Sequence, residues 1–119
     1  MQDFTKLKVW QKAHNLTVNI YKITSCFPSN EKFGLTNQLR RAAVSIESNI
    51  AEGCGRNGDK EFSRFLDIAQ GSCFEAKCQV FIARDLEYIS LDKSNLVVSK
   101  IDEVMRMIHA LNQKLKAKS

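Results

Sequence analysis

The stretch Gln38–Arg56, QLRRAAVSIESNIAEGCGR, decides the fold of this chain. Its apolar residues recur at steps of three and four, which places them in one stripe along a helix: Leu39, Ala42, Ile46 and Ile50. A polar stripe follows the same kind of spacing on another face: Arg41, Ser45, Ser48 and Glu52. A surface helix needs only one buried face, so the second stripe predicts a further contact with another helix or another subunit.

Length and composition indicate a single globular domain over residues 1–119, with 44% hydrophobic and 26% charged residues. One proline and five glycines favour long helices over many short strands. No apolar run reaches the roughly 18 residues of a membrane-spanning helix, and the first ten residues lack the apolar core of a secretory signal. We therefore expect a cytoplasmic protein without membrane contact. Its cysteines are expected to be reduced thiols: Cys26, Cys54, Cys73 and Cys78.

Two matching apolar stripes predict the first and the last helix. Alternating steps of four and three connect Val9, Ala13, Leu16, Ile20, Ile23 and Phe27. The same alternation connects Val97, Ile101, Val104, Ile108, Leu111 and Leu115. These patterns predict helices over about residues 8–26 and 92–116. Pro28 stops the first helix, and Ser90 or Asp92 caps the last one.

The two middle helices are predicted over about residues 35–52 and 59–88. Gly53 is placed to end the first of them, and Asp59 is placed to cap the second. Gly71 in a helix interior costs about 1 kcal/mol relative to alanine, so we expect a close helix approach or a bend there. Short connections make neighbouring helices antiparallel. The predicted fold is therefore all-α, an antiparallel up-down-up-down four-helix bundle.

The third helix carries more apolar surface than one bundle needs. One face collects Phe62, Phe65, Leu66, Ala69, Cys73, Ala76, Val80 and Ala83. Phe74, Phe81 and Ile82 point elsewhere on the same helix. Either a broad stripe is buried inside one bundle, or a homo-oligomer buries a second face of this helix together with the second helix.

Residues 53–58, GCGRNG, match the G-x-G-x-x-G pattern of dinucleotide sites. Such a site lies between a strand and the N-terminus of a helix. Here a helix precedes the pattern, so we interpret these residues as an interhelical turn, at most a weak anion site beside Arg56.

The sequence shows no metal or catalytic signature. Zinc sites use closely spaced cysteine or histidine pairs, whereas Cys73 and Cys78 are five residues apart and His14 and His109 are isolated. Di-metal carboxylate bundles need Glu-x-x-His motifs, and none is present. We expect no catalytic residue, no metal, no cofactor and no enzymatic activity.

The net charge of +5 is compatible with an anionic partner, and equally with an ordinary basic protein. In the predicted bundle, the start of the first helix, the loop between the middle helices and the end of the last helix share one pole. We call this end the basic pole. Its cations are the candidates for nucleic-acid binding: Lys6, Lys8, Lys12, Arg56, Lys60, Lys114, Lys116 and Lys118. Asp3, Asp59 and Glu61 dilute this charge, and cations also suit a helix C-terminus without any ligand.

The polar stripe of the second helix predicts a network of satisfied groups across helices or across subunits. A buried, unpaired charge costs several kcal/mol, so each charge in such a stripe needs a partner. The candidate members are Arg41, Ser45, Asn49, Glu52, Arg64 and Glu75.

Three segments carry a family resemblance: DFTKLKVWQKA (residues 3–13), FGLTNQLRRAAVSIESNIAEGCGR (33–56) and KEFSRFLDIAQGS (60–72), followed by Glu75. From Asp3 to about Leu111, the chain resembles the four-helix bundle proteins encoded in intervening sequences of bacterial 23S rRNA genes. The resemblance implies an antiparallel bundle that forms ring-shaped homopentamers. The chain is also similar to the accessory protein of diversity-generating retroelements, which binds a reverse transcriptase and nucleic acid.

Two departures from the family pattern affect local structure. Glu47 stands where the family usually has proline, so we expect a straighter second helix, or a bend kept by other contacts. Cys73, Phe74, Ala76 and Cys78 stand where the family favours larger aliphatic residues, which predicts different packing there.

These observations lead to one functional expectation with two alternatives. We expect a non-enzymatic homo-oligomer, pentameric as the family resemblance implies, that binds structured RNA or DNA weakly through the basic pole. One alternative is a scaffold that docks a protein partner, such as a retroelement enzyme. The other is a protein that serves only its mobile element and has no host ligand.

Overall fold

A computed structural model describes residues 3–118, which form four long helices and no strand. The helices are α1 (Lys8–Thr24), α2 (Leu35–Cys54), α3 (Asp59–Asp85) and α4 (Leu91–Lys118). Short 3₁₀ turns at Phe4–Lys6 and Ser29–Glu31 precede α1 and α2. The predicted all-α fold is confirmed. Among the same residues, no helix combines the length and apolarity needed to cross a membrane.

Contacts between α1 and α2 show that these helices are antiparallel. His14 Nδ1 lies 3.0 Å from Glu47 Oε2, and the Thr17 hydroxyl donates to the Ala43 carbonyl at 3.2 Å. Residue numbers therefore rise along α1 as they fall along α2. α2 is helical without interruption through Glu47.

Contacts between α3 and α4 follow the same antiparallel rule. The Gln70 side chain donates to the Met105 carbonyl at 3.1 Å, and Lys77 Nζ lies 2.9 Å from Asp102 Oδ1. α2 also packs on α3, and α1 packs on α4, whereas no diagonal pair of helices is in contact within residues 3–118. This arrangement is the predicted up-down-up-down bundle.

The core follows the predicted stripes of all four helices. Its largest fully buried aliphatic side chains are Leu16, Ile20, Leu39, Ile46, Ile50, Leu66, Ile101 and Ile108. Each such side chain contributes about 1.5–3 kcal/mol by leaving water. Ile23 and Leu111 were predicted within the stripes but lie at the margin, only partly buried against the core.

Gly53 lies inside α2 and does not end it, so the predicted end of this helix is wrong. α2 continues to Cys54, and Gly55 caps it. A Cβ atom added at Gly53 would lie 2.8 Å from Phe65 Cβ and 2.9 Å from Phe62 Cδ1. Glycine is therefore needed at this position because α2 and α3 approach each other closely.

The start of α3 also differs from the prediction. Asp59 is its first helical residue, and Gly58, with a φ of 91°, occupies the cap position. The left-handed conformation suits glycine, so the turn itself, rather than an aspartate cap, sets the start of α3. The other ends shift by two or three residues: α1 ends at Thr24, α3 at Asp85 and α4 at Lys118.

The connection from α3 to α4 uses Glu87, whose φ of 64° turns the chain back towards the bundle. The Ser90 hydroxyl then accepts a hydrogen bond from the Lys93 amide at 3.1 Å. Ser90, rather than Asp92, is therefore the cap of α4.

Gly71 lies in the middle of α3 and faces away from the bundle. No atom outside its own helix backbone lies within 4 Å of the position of a Cβ there, so a close approach within the subunit is excluded. Ile68, Phe74 and Ile82 are exposed on the same side of α3, and Phe74 retains 59% of its exposure. We call Ile68, Gly71, Phe74 and Ile82 the outer face of α3. A single bundle does not bury this face, so the first interpretation of the surplus apolar surface is wrong.

Candidate nucleic-acid interface

The structure brings the three parts of the basic pole together at one end of the bundle. Leu7 and Lys8, at the start of α1, line a groove with Leu111 and Lys114 near the end of α4. The 3₁₀ turn Phe4–Lys6 contacts α2. Near the start of α3, the Ser63 hydroxyl donates a hydrogen bond to Asn112 Oδ1 near the end of α4. The prediction that these elements share one end of the bundle, which was based on short connections between antiparallel helices, is therefore confirmed.

Two of the eight candidate cations already contact carboxylates. Lys12 Nζ lies 3.6 Å from Glu103 Oε1, and Arg56 Nη2 lies 2.8 Å from Glu52 Oε1. The Arg56 guanidinium also lies over the Phe65 ring, 5.0 Å from its centroid. These two groups are oriented by protein partners, so they are less available to an anionic ligand.

The other lysines of the pole project into solvent. Within residues 3–118, no carboxylate forms an ion pair with the following lysines: Lys6, Lys8, Lys60, Lys114 and Lys118. Lys116 is exposed on the same end of α4. These side chains carry mobile positive charge on long stems, which suits contacts with phosphate groups.

Two acidic groups of the pole are engaged locally. The Thr5 hydroxyl and the Thr5 amide donate to Asp3 Oδ1 at 2.6 and 3.0 Å, and these bonds lower the pKa of Asp3. Arg64 Nε lies 3.1 Å from Glu61 Oε2, and this hydrogen-bonded pair lowers the pKa of Glu61. Both carboxylates therefore stay ionised at neutral pH and reduce the positive potential of the pole.

The opposite pole is formed by the α1–α2 and α3–α4 connections, and it is close to balanced in charge. Its cations are Lys22, Lys32, Arg40, Arg84 and Lys93, and Arg40 donates to Thr24 Oγ1 at the end of α1. Its carboxylates are Glu31, Asp85, Glu87 and Asp92. The excess of positive charge is therefore concentrated at the basic pole.

The polar stripe of α2 forms a neutral cluster with α3. Ser45 Oγ lies 2.8 Å from Ser72 Oγ. The Asn49 amide donates to the Ser45 carbonyl at 2.8 Å and lies 3.1 Å from the Ser45 hydroxyl. Of these contacts, the one between Ser45 and Ser72 joins α2 to α3, whereas the bonds of Asn49 stay within α2. The half-buried groups satisfy one another, and a contact of Asn49 across helices or subunits stays a prediction.

The charged members of the predicted network do not join this cluster within one subunit. Glu52 pairs with Arg56 and Arg64 pairs with Glu61, in both cases on the same helix. Arg41 and Glu75 are exposed. The intramolecular form of the prediction is therefore wrong for these charges, because partners three or four residues away or water satisfy them. Contacts of Arg41 and Glu75 across subunits stay a prediction.

A buried polar cluster at the basic pole was missed by the sequence analysis. The Ser63 hydroxyl donates to Asn112 Oδ1, and the Asn112 amide donates to Asp67 Oδ1 at 2.7 Å. Ser63 and Asn112 are buried, so this cluster fixes the start of α3 against the end of α4. The available signal was the position of Asn112, four residues after Ile108 on the core-facing side of α4.

His14 is exposed on α1, and its side chain contacts residues of both α1 and α2. Its ring stacks on Trp10 with 4.9 Å between centroids, and its Nδ1 contacts Glu47 on α2. Phe4 packs edge-on against the other side of this arrangement, 5.0 Å from the Trp10 centroid. The N-terminal turn is thereby attached to α1 and α2.

The four cysteines form no disulfide with one another, and Cys54 and Cys73 are buried. Burial raises the pKa of Cys73 to about 12, so its thiol is a packing group rather than a nucleophile at neutral pH. Within residues 3–118, no group of three or more metal-ligating side chains is close enough to hold an ion. The GCGRNG segment ends α2 and turns into α3, as interpreted from the sequence.

Comparison with known proteins agrees with the sequence motifs. The family model of the 23S rRNA-intervening sequence protein matches residues 5–110, which is most of the chain. The chain belongs to this family. No curated protein matches it. The family resemblance inferred from the three segments is therefore confirmed.

A solved structure supports the fold of this family member. It is the 1.70 Å crystal structure of a protein of unknown function from the S23 ribosomal protein family of Bacteroides thetaiotaomicron VPI-5482. The two chains are 21% identical, and their alignment covers 87% of this chain and 97% of that one, with a TM-score of 0.79. At this identity the likeness establishes the shared fold.

Proposed function

We propose that this family member is a non-enzymatic homo-oligomer that binds structured RNA or DNA weakly through its basic pole. The observation that carries the proposal is the charge distribution. Lys8 of α1, Lys60 of α3, and Lys114 and Lys118 of α4 gather at one end without carboxylate partners among residues 3–118, whereas the opposite pole is close to balanced in charge. Binding of a polyanion such as nucleic acid at the basic pole would explain this uneven distribution of charge.

The proposed contacts are with phosphate groups. Lysine ammonium groups act as compact point charges on flexible stems, so they follow a phosphate backbone without reading bases. Binding should therefore be tolerant of sequence and steeply dependent on salt. Ion pairs at Lys12 and Arg56 reduce the charge that one subunit offers, which fits weak binding by a single pole.

Assembly would strengthen this binding by repeating the pole. The outer face of α3 supports assembly, because Phe74 is exposed beside Gly71 and Ile82. α2 and α3 occupy neighbouring corners of the bundle, so head-to-tail contacts between their outer faces would curve towards a closed ring. The family resemblance implies five copies. Several poles on one ring would add weak contacts through avidity.

Salt-dependent binding tests the nucleic-acid part of the proposal. We expect a triple variant of the basic pole (Lys8→Gln, Lys60→Gln, Lys114→Gln) to bind rRNA fragments more weakly than wild type. Each lost phosphate contact should lower the slope of log K against log salt by about 1. The measurement is fluorescence anisotropy over a salt series. A flat salt response of the wild type would overturn the proposal.

A matched control removes the same charge from the opposite pole (Lys22→Gln, Lys32→Gln, Lys93→Gln). The control should keep most of the wild-type affinity, because these lysines lie at the balanced end. Equal losses in the two triple variants would show that net charge, rather than the basic pole, determines binding.

Light scattering tests the assembly part separately. We expect wild type to have the mass of a multimer, five subunits by the family resemblance. Phe74→Glu should shift the mass towards one subunit, because it places a charge in the proposed contact. Leu96→Glu, at an exposed leucine of α4, is the control. A wild type that is monomeric at all concentrations would contradict assembly.

A second candidate function is docking of a protein partner at the opposite pole. Phe33 retains 87% of its exposure and Leu91 retains 62%, and Leu86 is also exposed at this end. Exposed apolar side chains of this size are typical of contact sites. A complex that survives nuclease treatment in a pull-down, and that Phe33→Ser removes, would favour this function over nucleic-acid binding.

A further inference from the structure

A groove at the basic pole combines an apolar floor with two cations. It has a volume of about 250 Å³ and lies between the start of α1 and the end of α4. Five of its lining residues are apolar: Leu7, Val9, Met107, Ala110 and Leu111. Lys8 and Lys114 are its only charged lining residues, and neither forms an ion pair within residues 3–118. The groove therefore suits an apolar group that carries negative charge close by.

We propose that this groove accepts an unpaired nucleobase of single-stranded or bulged nucleic acid. The base would lie on the apolar floor, while Lys8 and Lys114 would contact the phosphates that flank it. Nucleotides alternate flat apolar faces with anionic linkages, which matches this arrangement of groups. This inference rests on the proposed function of the basic pole and specifies its ligand as unpaired nucleic acid.

The surroundings of the groove favour a nucleic acid over a small apolar anion. Lys6 and Lys118 lie exposed at the same pole, beyond the groove itself. A small carboxylate would use one or two of these charges, whereas an extended polyanion would use charges inside and outside the groove. The bases of a duplex are stacked inside, so a duplex would reach only the lysines. The groove thus predicts a preference for unpaired over paired strands.

The floor can adapt to a flat ring. Ala110 is exposed and small, which leaves space above α4. Met107 is partly buried, and its unbranched thioether side chain fits irregular shapes and contacts aromatic rings favourably. Leu7 and Leu111 pack against the core from the two helices, so they hold the walls in place.

Anisotropy measurements with two RNA probes test the inference. The probes are a labelled single strand of about twelve nucleotides and the duplex of the same sequence, compared at one salt concentration. We expect wild type to bind the single strand about five- to tenfold more tightly. Ala110→Leu fills the groove without a change in charge and without an aromatic face on which a base could stack, so it should remove this preference and leave the affinity for the duplex unchanged.

Ser99→Leu is the matched control, because Ser99 is exposed on α4 and does not line the groove. It should keep the preference for the single strand, and thermal unfolding of both variants verifies that each is folded. Equal affinity of wild type for the two probes would overturn the inference, as would a preference that survives Ala110→Leu. If neither probe binds, the proposed function fails too. If the duplex binds as tightly as the single strand, only the groove's role fails.

Discussion

Gly53 and Gly71 both lie inside long helices, yet their surroundings are opposite. At Gly53 an added Cβ would meet Phe65 Cβ at 2.8 Å and Phe62 Cδ1 at 2.9 Å. At Gly71 an added Cβ would meet nothing within 4 Å. Gly53 is thus explained by the packing of α2 on α3, whereas packing within the subunit does not explain Gly71.

The difference distinguishes a glycine that packing within the subunit requires from one that it does not. Gly53 serves the fold, because the close approach of α2 and α3 depends on the missing side chain. Gly71 costs about 1 kcal/mol of helix propensity and gains no contact in the subunit. Its position among the exposed side chains of Ile68, Phe74 and Ile82 fits a role in contact with another subunit. Substitutions at and near the two glycines can test this distinction.

Gly53→Ala should have the largest effect. The Phe65 Cβ is attached to the backbone of α3, so the clash cannot be relieved by rotating a side chain. Overpacking, less the helix propensity gained, should lower the free energy of unfolding by about 1–2 kcal/mol. Urea denaturation measures the change. Gly55→Ala is the control, since its nearest neighbour lies at 3.6 Å, and a Gly53→Ala protein as stable as wild type would contradict the close approach.

Gly71→Ala should act in the opposite direction on the subunit. With open space around the position, alanine should raise the stability of the monomeric subunit by up to about 1 kcal/mol through helix propensity. If the outer face of α3 is a subunit contact, the bulkier Gly71→Leu should at the same time reduce the assembled fraction. Dilution series in light scattering, with urea denaturation at low protein concentration, separate the two effects. Destabilisation of the monomer by Gly71→Ala would show that the site is not open.

Ser45→Ala tests whether the α2–α3 contact also depends on its polar cluster. The substitution removes the 2.8 Å contact with Ser72, the neighbour of Gly71, and leaves that hydroxyl half-buried. The expected loss is about 0.5–1 kcal/mol, less than at Gly53. A double-mutant cycle with Ser72→Ala should show a positive coupling between the two hydroxyls. Additive losses would mean that the two serines are stabilised independently.

Gly34→Ala should have the smallest effect, because only a flexible group lies in the way. A Cβ there would come within 2.6 Å of Glu31 Oε1, the end of a side chain. The carboxylate would move and weaken the bond that it accepts from the Leu35 amide at 3.1 Å. The loss of stability should therefore be clearly below that of Gly53→Ala. A larger loss than at Gly53 would contradict this order.

The effect of Gly34→Ala should also depend on pH. Hydrogen bonds from the Leu35 amide and the Tyr88 hydroxyl lower the pKa of Glu31 below its ordinary value of 4.5. A lowered pKa means that this stabilisation is present above pH 4.5 and is lost as the pH falls through the lowered pKa. Thermal unfolding of wild type and Gly34→Ala should therefore differ at neutral pH and converge once the pH falls below the lowered pKa of Glu31.

The sequence predicted the helices well because their apolar periodicity is regular. The stripes of α1 and α4 predicted both helices and all of their buried apolar residues, but not the buried polar ones: Thr17, Thr24, Ser94 and Asn112. Helix ends were less predictable. Glycine often follows the end of a helix, but Gly53 lies inside α2, where the close packing of Phe62 and Phe65 on α3 leaves no room for a side chain. Gly53 and Gly71 are the same residue in the sequence, and only the distance to the neighbouring helix distinguishes them.

The basic pole could be predicted because topology alone brings its elements together. Which of its cations remain unpaired could not be predicted. Arg56 forms an ion pair with Glu52, one turn away on the same helix, whereas Lys12 forms one with Glu103 on α4, far away in the sequence. The same limit applies to His14, whose partners Trp10 and Glu47 lie on two helices. Pairwise side-chain contacts depend on helix rotation, which periodicity fixes only coarsely.

The groove at the basic pole lies on the contact between α1 and α4, the first and the fourth helix of the bundle. The other contacts between neighbouring helices form hairpins and need only short loops to close. The contact of α1 with α4 closes the longest loop, so we expect it to form last during folding. During synthesis, α1 with Lys8 is made before the wall that α4 supplies. The groove becomes available only after α4 has been made, so capture of a ligand there would follow synthesis of all four helices.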